Sequence, residues 1–283
     1  MVDEPVVPAL EDDAIDEITV RRGPSRMSRA SIILGIAPLV GLVVFLGAWQ
    51  LVVEIFSIEA YKLPAPWRIL RHIASDPGFY ARHSRTTLWE AFVGFMLAML
   101  LAIPLATAMA LSRFIDRAVM PIAVLIQVTP IIAYAPAVVL WVGTGFRSII
   151  VITTVVCFVP FLVNLVSGLR SVDPLLLELA HSVDAGRSEV FWRLRVPSAL
   201  PNLFAAARIS VGLALIGAVL GEFFGLVKGG LGFALKTAQS RGFRGIDQVW
   251  GCVFVLAFIG AVATFLLSVA ERAALHWHAS QRR

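Results

Sequence analysis

The sequence predicts an all-α fold, a polytopic membrane bundle of about six transmembrane helices with a helical elbow between the fourth and fifth spans. Three observations carry this. The 283 residues are 58% hydrophobic and only 15% charged, with mean hydropathy +0.83, where soluble domains are about a quarter charged. Six apolar runs, 31–53, 87–111, 119–142, 148–168, 201–224 and 248–270, each approach or exceed the roughly 20 residues that cross about 30 Å of hydrocarbon. The longest interruption among the later runs, 173–197, has helical periodicity of its own.

Taken in order, residues 1–17 hold seven acids and no Lys or Arg, with Pro5 and Pro8 and no periodicity. Residues 1–29 therefore read as a disordered tail. Arg21, Arg22, Arg26 and Arg29 form a basic collar directly before the first run. That run is too long for the core of a signal peptide and no small-residue cleavage site closes it, so it reads as a retained span. Six spans place both ends of the chain on one side. With the N-terminus inside, 14 basic residues fall inside and 10 outside, in agreement with the positive-inside rule. Both tails, 1–29 and 279–283, are then cytoplasmic, and 30–278 is the membrane domain. The basic excess reflects orientation on anionic lipid, with no nucleic-acid partner expected.

Residues 60–85 are polar enough to leave the bilayer. Trp67, Leu70, Ile73 and Ala74 recur at helical spacing, which predicts a short amphipathic helix on the outer surface, lying on lipid or packed on the bundle. Pro104, Pro121, Pro130, Pro136 and Pro160 lie within spans. Each removes a backbone hydrogen bond, so the third span, with three, is expected to be bent. Either a path or mere packing accounts for the bend.

The elbow carries the functional signal. In 174–183, Leu176, Leu179, Ala180 and Val183 share one helical stripe, with Glu178, His181 and Ser182 opposite. Asp184-Ala185-Gly186 breaks the helix. A second helix, 187–194, offers Val190, Phe191 and Leu194, with Pro197 and Pro201 expected to end it and open the fifth span. Such an apolar ridge must bury either against its own bundle or in the groove of a soluble partner.

These residues resemble a known family. Permeases of ABC importers carry a loop of pattern E-A-A, three residues, Gly, nine residues, I-x-L-P. Here Glu178-Leu179-Ala180, Asp184 and Leu194-Arg195-Val196-Pro197 stand at that spacing. Leu63-Pro64-Ala65-Pro66, Val128-Thr129-Pro130 and Gly221-Glu222-Phe223-Phe224 are similar to the nitrate, aliphatic sulfonate and taurine branch, which includes permeases for pyrimidine-type vitamin precursors. Asp184 stands where the family has its turn glycine, Gly186 where a Ser often caps, and Glu90 where an Arg is common. Asp tolerates the left-handed turn, and Gly is an acceptable N-cap.

The resemblance implies a type I importer permease of the bacterial cytoplasmic membrane. It would pair with a second permease, as a homodimer or with a paralogue, and take solute from an extracytoplasmic substrate-binding protein. Two ABC ATPase subunits would dock on the elbow through Glu178, Leu179, Ala180, Asp184, Gly186, Phe191, Leu194 and Pro197. No catalytic residue and no cofactor is implied, and the chain has no G-x-x-x-x-G-K-[ST] phosphate loop of its own.

Gln127, Pro130, Pro136, Asn164 and Glu222 are candidates for the translocation path, although interhelical hydrogen bonding accounts equally for Gln127 and Asn164. Arg193 and Arg195 suit a partner or lipid headgroups, and Arg208 is placed to snorkel. His276 and His278, two apart, point different ways on a helix, so no metal site is expected. Cys157 and Cys252 read as small buried hydrophobes. A secondary transporter or channel would require inverted repeats and intramembrane acid or base pairs, and neither is evident in the sequence.

Overall fold

A computed structural model describes residues 29–225 and 227–275, with side chains from residue 37 onward. The expected acidic tail, the collar at Arg21, Arg22 and Arg26, the pair His276 and His278, and the tail 279–283 lie outside the described residues. Among those described, the secondary structure is helical. The elements are α1 (Arg29–Ile55), α2 (Pro66–Ser75), α3 (Pro77–Leu111), α4 (Arg113–Val128), α5 (Ile131–Val142) and α6 (Phe146–Leu169). There follow α7 (Pro174–Ser182), α8 (Arg187–Val190), α9 (Val196–Phe224), α10 (Leu231–Ser240) and α11 (Ile246–Ala274). Among the described residues, five stretches are long and apolar enough to cross a membrane, and six if α4 and α5 count as one bent span.

The centre is a close-packed trio, α3, α6 and α9. On α3, Gly94, Ala98, Ala102 and Ala106 recur every fourth residue and are buried; α9 presents Gly217 and Gly221 in the same register. Small residues at this spacing let helix backbones approach without side chains between them, which is how spans associate where lipid supplies no hydrophobic contrast. Thr153 of α6 occupies the middle: a Cβ added at Gly217 would lie 2.8 Å from its Cα. Likewise a Cβ at Gly221 would lie 2.9 Å from Ile149 Cα. Cys157 is buried in this layer and donates to Ser210 O at 3.4 Å, while Cys252 is buried in a second cluster with Tyr80, Leu231 and Ala234.

Two boundaries differ from the sequence expectation. The run 119–142 is not one gently bent helix: α4 and α5 meet at 103°, with Thr129 and Pro130 extended between them. Pro130 cannot donate to the α4 ladder and disfavours helical geometry in the residue before it, so α5 starts afresh. Conversely, Pro197 and Pro201 do not end the helix begun at Arg187. Phe191–Arg195 forms a single π-helical stretch, and helix continues unbroken to Phe224. The wider turn makes room for the Pro197 ring, which would otherwise clash with the carbonyl four residues earlier.

The predicted short helix is α2, but its buried positions are Pro66 and Ile69, with Ile73 against the second cluster; Trp67 and Leu70 face outward. Packing on the bundle is thus its principal role. Arg68 fixes it there through a two-pronged ion pair with Asp247 of α11, at 2.8 and 2.9 Å. That hydrogen bond raises the Arg68 pKa further above its already high ordinary value.

Candidate functional site

The elbow forms as its sequence requires. Asp173 caps α7 by accepting from Leu175 N at 2.9 Å, and Pro174 occupies the first turn, where its missing N–H costs nothing. The helix closes with two reaching bonds, Ala185 N to Ala180 O at 2.9 Å and Asp184 N to His181 O at 3.1 Å. This Schellman arrangement needs a left-handed residue, and Asp184 supplies it with φ 52°. Gly186 is extended and caps α8 by position, without strain. Glu189 and Arg193 pair along the outer face at 2.9 Å.

What the elbow does not do is bury its ridge. Ala180 alone is buried; Leu176, Leu179 and Val183 are 47%, 61% and 69% exposed, and Leu175 beside them is also open. Glu178, Asp184 and Gly186 are exposed too, whereas Phe191, Leu194 and Pro197 are half-buried against the bundle. The first helix is therefore a free apolar surface, and the second roots it. Leu175 was not on the expected stripe; it widens the ridge by one residue.

The five candidates for a path separate. Gln127 and Pro130 line a groove of about 320 Å³ at the α4–α5 bend, together with Thr129, Tyr134, Val159 and Pro160. Pro136 is exposed on α5, away from that groove. Asn164 donates to Pro160 O one turn back at 2.8 Å, so its amide is spent within α6. Glu222 is fully buried at the far end of α9.

Around Glu222 lies the arrangement that sequence reading missed. Thr87 of α3 donates to Glu222 Oε1 at 2.6 Å, and Gly232 N donates to Oε2 at 2.5 Å. Phe233 N adds a third donor, and Leu231 N donates to Thr87 Oγ1 at 2.8 Å. Glu222 thus accepts the N-terminal amides of α10, where the helix dipole favours negative charge. Gly230 precedes them with φ 83°, and a Cβ there would run into the Glu222 carboxyl. Glu90 of α3, 1% exposed, faces Glu222 carboxyl to carboxyl. An intramembrane acid pair therefore exists where none was expected; 132 residues of separation gave it no local signature.

Arg208 is likewise not free to snorkel. It is ion-paired with Glu271 of α11, tying the elbow ends of α9 and α11. Arg170, at the end of α6, pairs with Asp116 at 2.8 Å and donates to Met109 O at 2.6 Å.

Four similarities bear on this geometry. Residues 94–275 match the family described as binding-protein-dependent transport system inner membrane component. The chain is 32% identical to the formylaminopyrimidine transport permease protein ThiX of Halalkalibacterium halodurans, covering 82% of this chain and 92% of that protein. It is 30% identical to the taurine transport system permease protein TauC of Escherichia coli, over 84% and 88% respectively. A crystal structure of an amino acid ABC transporter superposes with TM-score 0.60 at 17% identity, covering 72% of this chain and 98% of that one, a likeness of fold alone.

Proposed function

The chain belongs to the inner membrane components of binding-protein-dependent transport systems, and from that premise we propose how it works, with which partners and on what. It is a multi-pass inner-membrane permease of an ABC importer, in the branch that contains the pyrimidine-precursor and taurine permeases. The proposal is that its elbow faces the cytoplasm, with both termini on that side, and seats in a groove of an ABC ATPase that hydrolyses ATP on its behalf. Two permease copies and two ATPase copies would form the working unit. An external binding protein would deliver a small polar solute, a sulfonate such as taurine or a pyrimidine-type vitamin precursor.

One observation carries this reading: α7 and its cap present a contiguous apolar ridge, Leu175, Leu176, Leu179 and Val183, that none of the described residues covers. Helix-in-groove recognition needs such a ridge on a short, well-capped helix. The permease is then the bistable element, and the elbow supplies the contact by which nucleotide biases it. Glu90 and Glu222 do not favour ion-coupled transport instead, since Thr87 and the α10 amides enclose the pair.

The test is reconstitution of the permease with a candidate ATPase and binding protein in proteoliposomes. ATP turnover should rise several-fold with solute-loaded binding protein and stay flat with empty binding protein. Solute uptake at full rate without any ATPase would overturn the reading.

A further inference from the structure

Two cavities meet at the elbow end of the bundle, and their characters are opposite. The first, about 530 Å³, runs between α3, α6 and the α8–α9 helix and is lined by Pro104, Leu165, Phe191, Trp192, Ala199 and Leu203, with almost no polar wall. The second, about 550 Å³, is lined by Arg113, Arg117, Arg170 and Arg195, with Asp116 as its acid. Leu111 and Leu169 border both, so the apolar cavity and the cationic one adjoin, and a bound molecule could reach from one to the other across these two side chains.

The charges in the cationic cavity are unbalanced. Asp116 is engaged by Arg170, which also caps the Met109 carbonyl. Arg113, Arg117 and Arg195 have no ion pair among the described residues, leaving three guanidinium groups around one opening. Guanidinium is the side chain best matched to phosphate oxygens, and basic pockets between spans on the inner side suit anionic headgroups. The apolar cavity beside it has no use for a soluble anion. Together they fit a molecule with a phosphate at one end and a hydrocarbon chain at the other.

We propose that these adjoining cavities bind one anionic phospholipid of the inner leaflet, its phosphate held by Arg113, Arg117 and Arg195 and one acyl chain laid along α3 and α9 as far as Leu203. The assignment to the inner leaflet rests on the orientation given under the proposed function. Because Phe191 and Trp192 wall the chain-binding length, the lipid would brace the root of the elbow and bias its position.

The test uses the full chain with its ATPase, purified from nanodiscs of phosphatidylglycerol or of phosphatidylcholine, with retained lipid counted by native mass spectrometry. Phosphatidylglycerol should be retained preferentially. Combined Arg113→Gln, Arg117→Gln and Arg195→Gln should lower that retention on the order of a hundredfold, as expected for removing three guanidinium contacts. Thr107→Trp, which fills the apolar length, should lower it with the arginines intact. Glycerol phosphate added in solution should not displace the lipid.

Equal retention of the two lipids would overturn the proposal. So would displacement by glycerol phosphate, which would make this a soluble-anion site. A triple arginine variant that keeps its lipid but loses the ATPase would overturn it as well, by assigning the arginines to the protein partner. A cysteine placed at Arg117 and probed with an impermeant thiol reagent reports the side independently. Labelling from outside the cell would sink the orientation, whatever the lipid count.

Discussion

Glu90 and Glu222 meet carboxyl to carboxyl inside the bundle, one from α3 and one from α9, with α10 anchored on the second of them. The two acids are not equivalent. Glu222 accepts from Thr87, Gly232 and Phe233, whereas Glu90 engages Glu222. Glu222→Ala should therefore cost about 3 kcal/mol, by stranding the buried donors it satisfies. Glu90→Gln places an amide donor beside the Glu222 carboxyl and should change stability by less than about 1 kcal/mol. Thermal unfolding in detergent measures both, and equal losses would refute the ranking.

Gly230→Ala should be worse than Glu90→Gln. It forces a side chain into left-handed backbone and places its Cβ against the Glu222 carboxyl. A loss of about 2 kcal/mol or more is expected, together with easier proteolysis around α10. Limited proteolysis of the purified protein, compared with Gly242→Ala where nothing lies near the added Cβ, isolates the clash from the backbone effect.

The ridge of α7 separates assembly from folding. Leu176→Asp with Leu179→Asp alters two exposed side chains, so the melting temperature of the isolated permease should move little, by about 0.5 kcal/mol equivalent. Copurification with the ATPase should be lost. Glu178→Lys, on the same helix, should weaken it too while leaving membrane insertion intact. Retained copurification in the double variant would remove α7 from the interface.

Asp184 ends α7 in a conformation glycine adopts freely. Asp184→Gly should leave stability within about 1 kcal/mol and preserve coupled ATP turnover, whereas Asp184→Val should cost about 1–2 kcal/mol because a β-branched residue resists φ 52°. If valine proves harmless in unfolding measurements, the Schellman closure is not what terminates this helix.

Arg68 and Asp247 pin α2 to α11 in partly solvated surroundings. A double-mutant cycle with Arg68→Ala and Asp247→Ala should return about 1 kcal/mol of coupling, shrinking as salt rises. The Arg68 pKa is raised in the folded state. Stability from such a base is fully present below its unfolded pKa and is lost only as pH rises through the folded one. The arginine side of this link should therefore be constant through neutral pH, which unfolding at several pH values would check.

The parts of this molecule that sequence revealed are those encoded locally. Spans follow from run length, and α7 follows from the spacing of Leu176, Leu179 and Val183 between Asp173-Pro174 and Asp184. What stayed hidden depends on distant partners or on backbone accommodation. Glu90 and Glu222 are an unremarkable pair of acids until α3 and α9 pack. Arg208 looks like a snorkelling cation until Glu271 arrives from α11. Pro197 and Pro201 signal a stop by every local rule, yet five residues of π-helix absorb the first of them. Pro130 announced a bend without its magnitude, because 103° is set by where α5 packs on α6.

That π-helical passage has a mechanical meaning. Since nothing hinges between Arg187 and Phe224, the 38 residues act as one stiff rod, roughly 55 Å from tip to tip. A displacement at the elbow would therefore be carried toward Glu222 along one continuous helix, whose far end is held by the contacts of that carboxyl with Thr87 and α10.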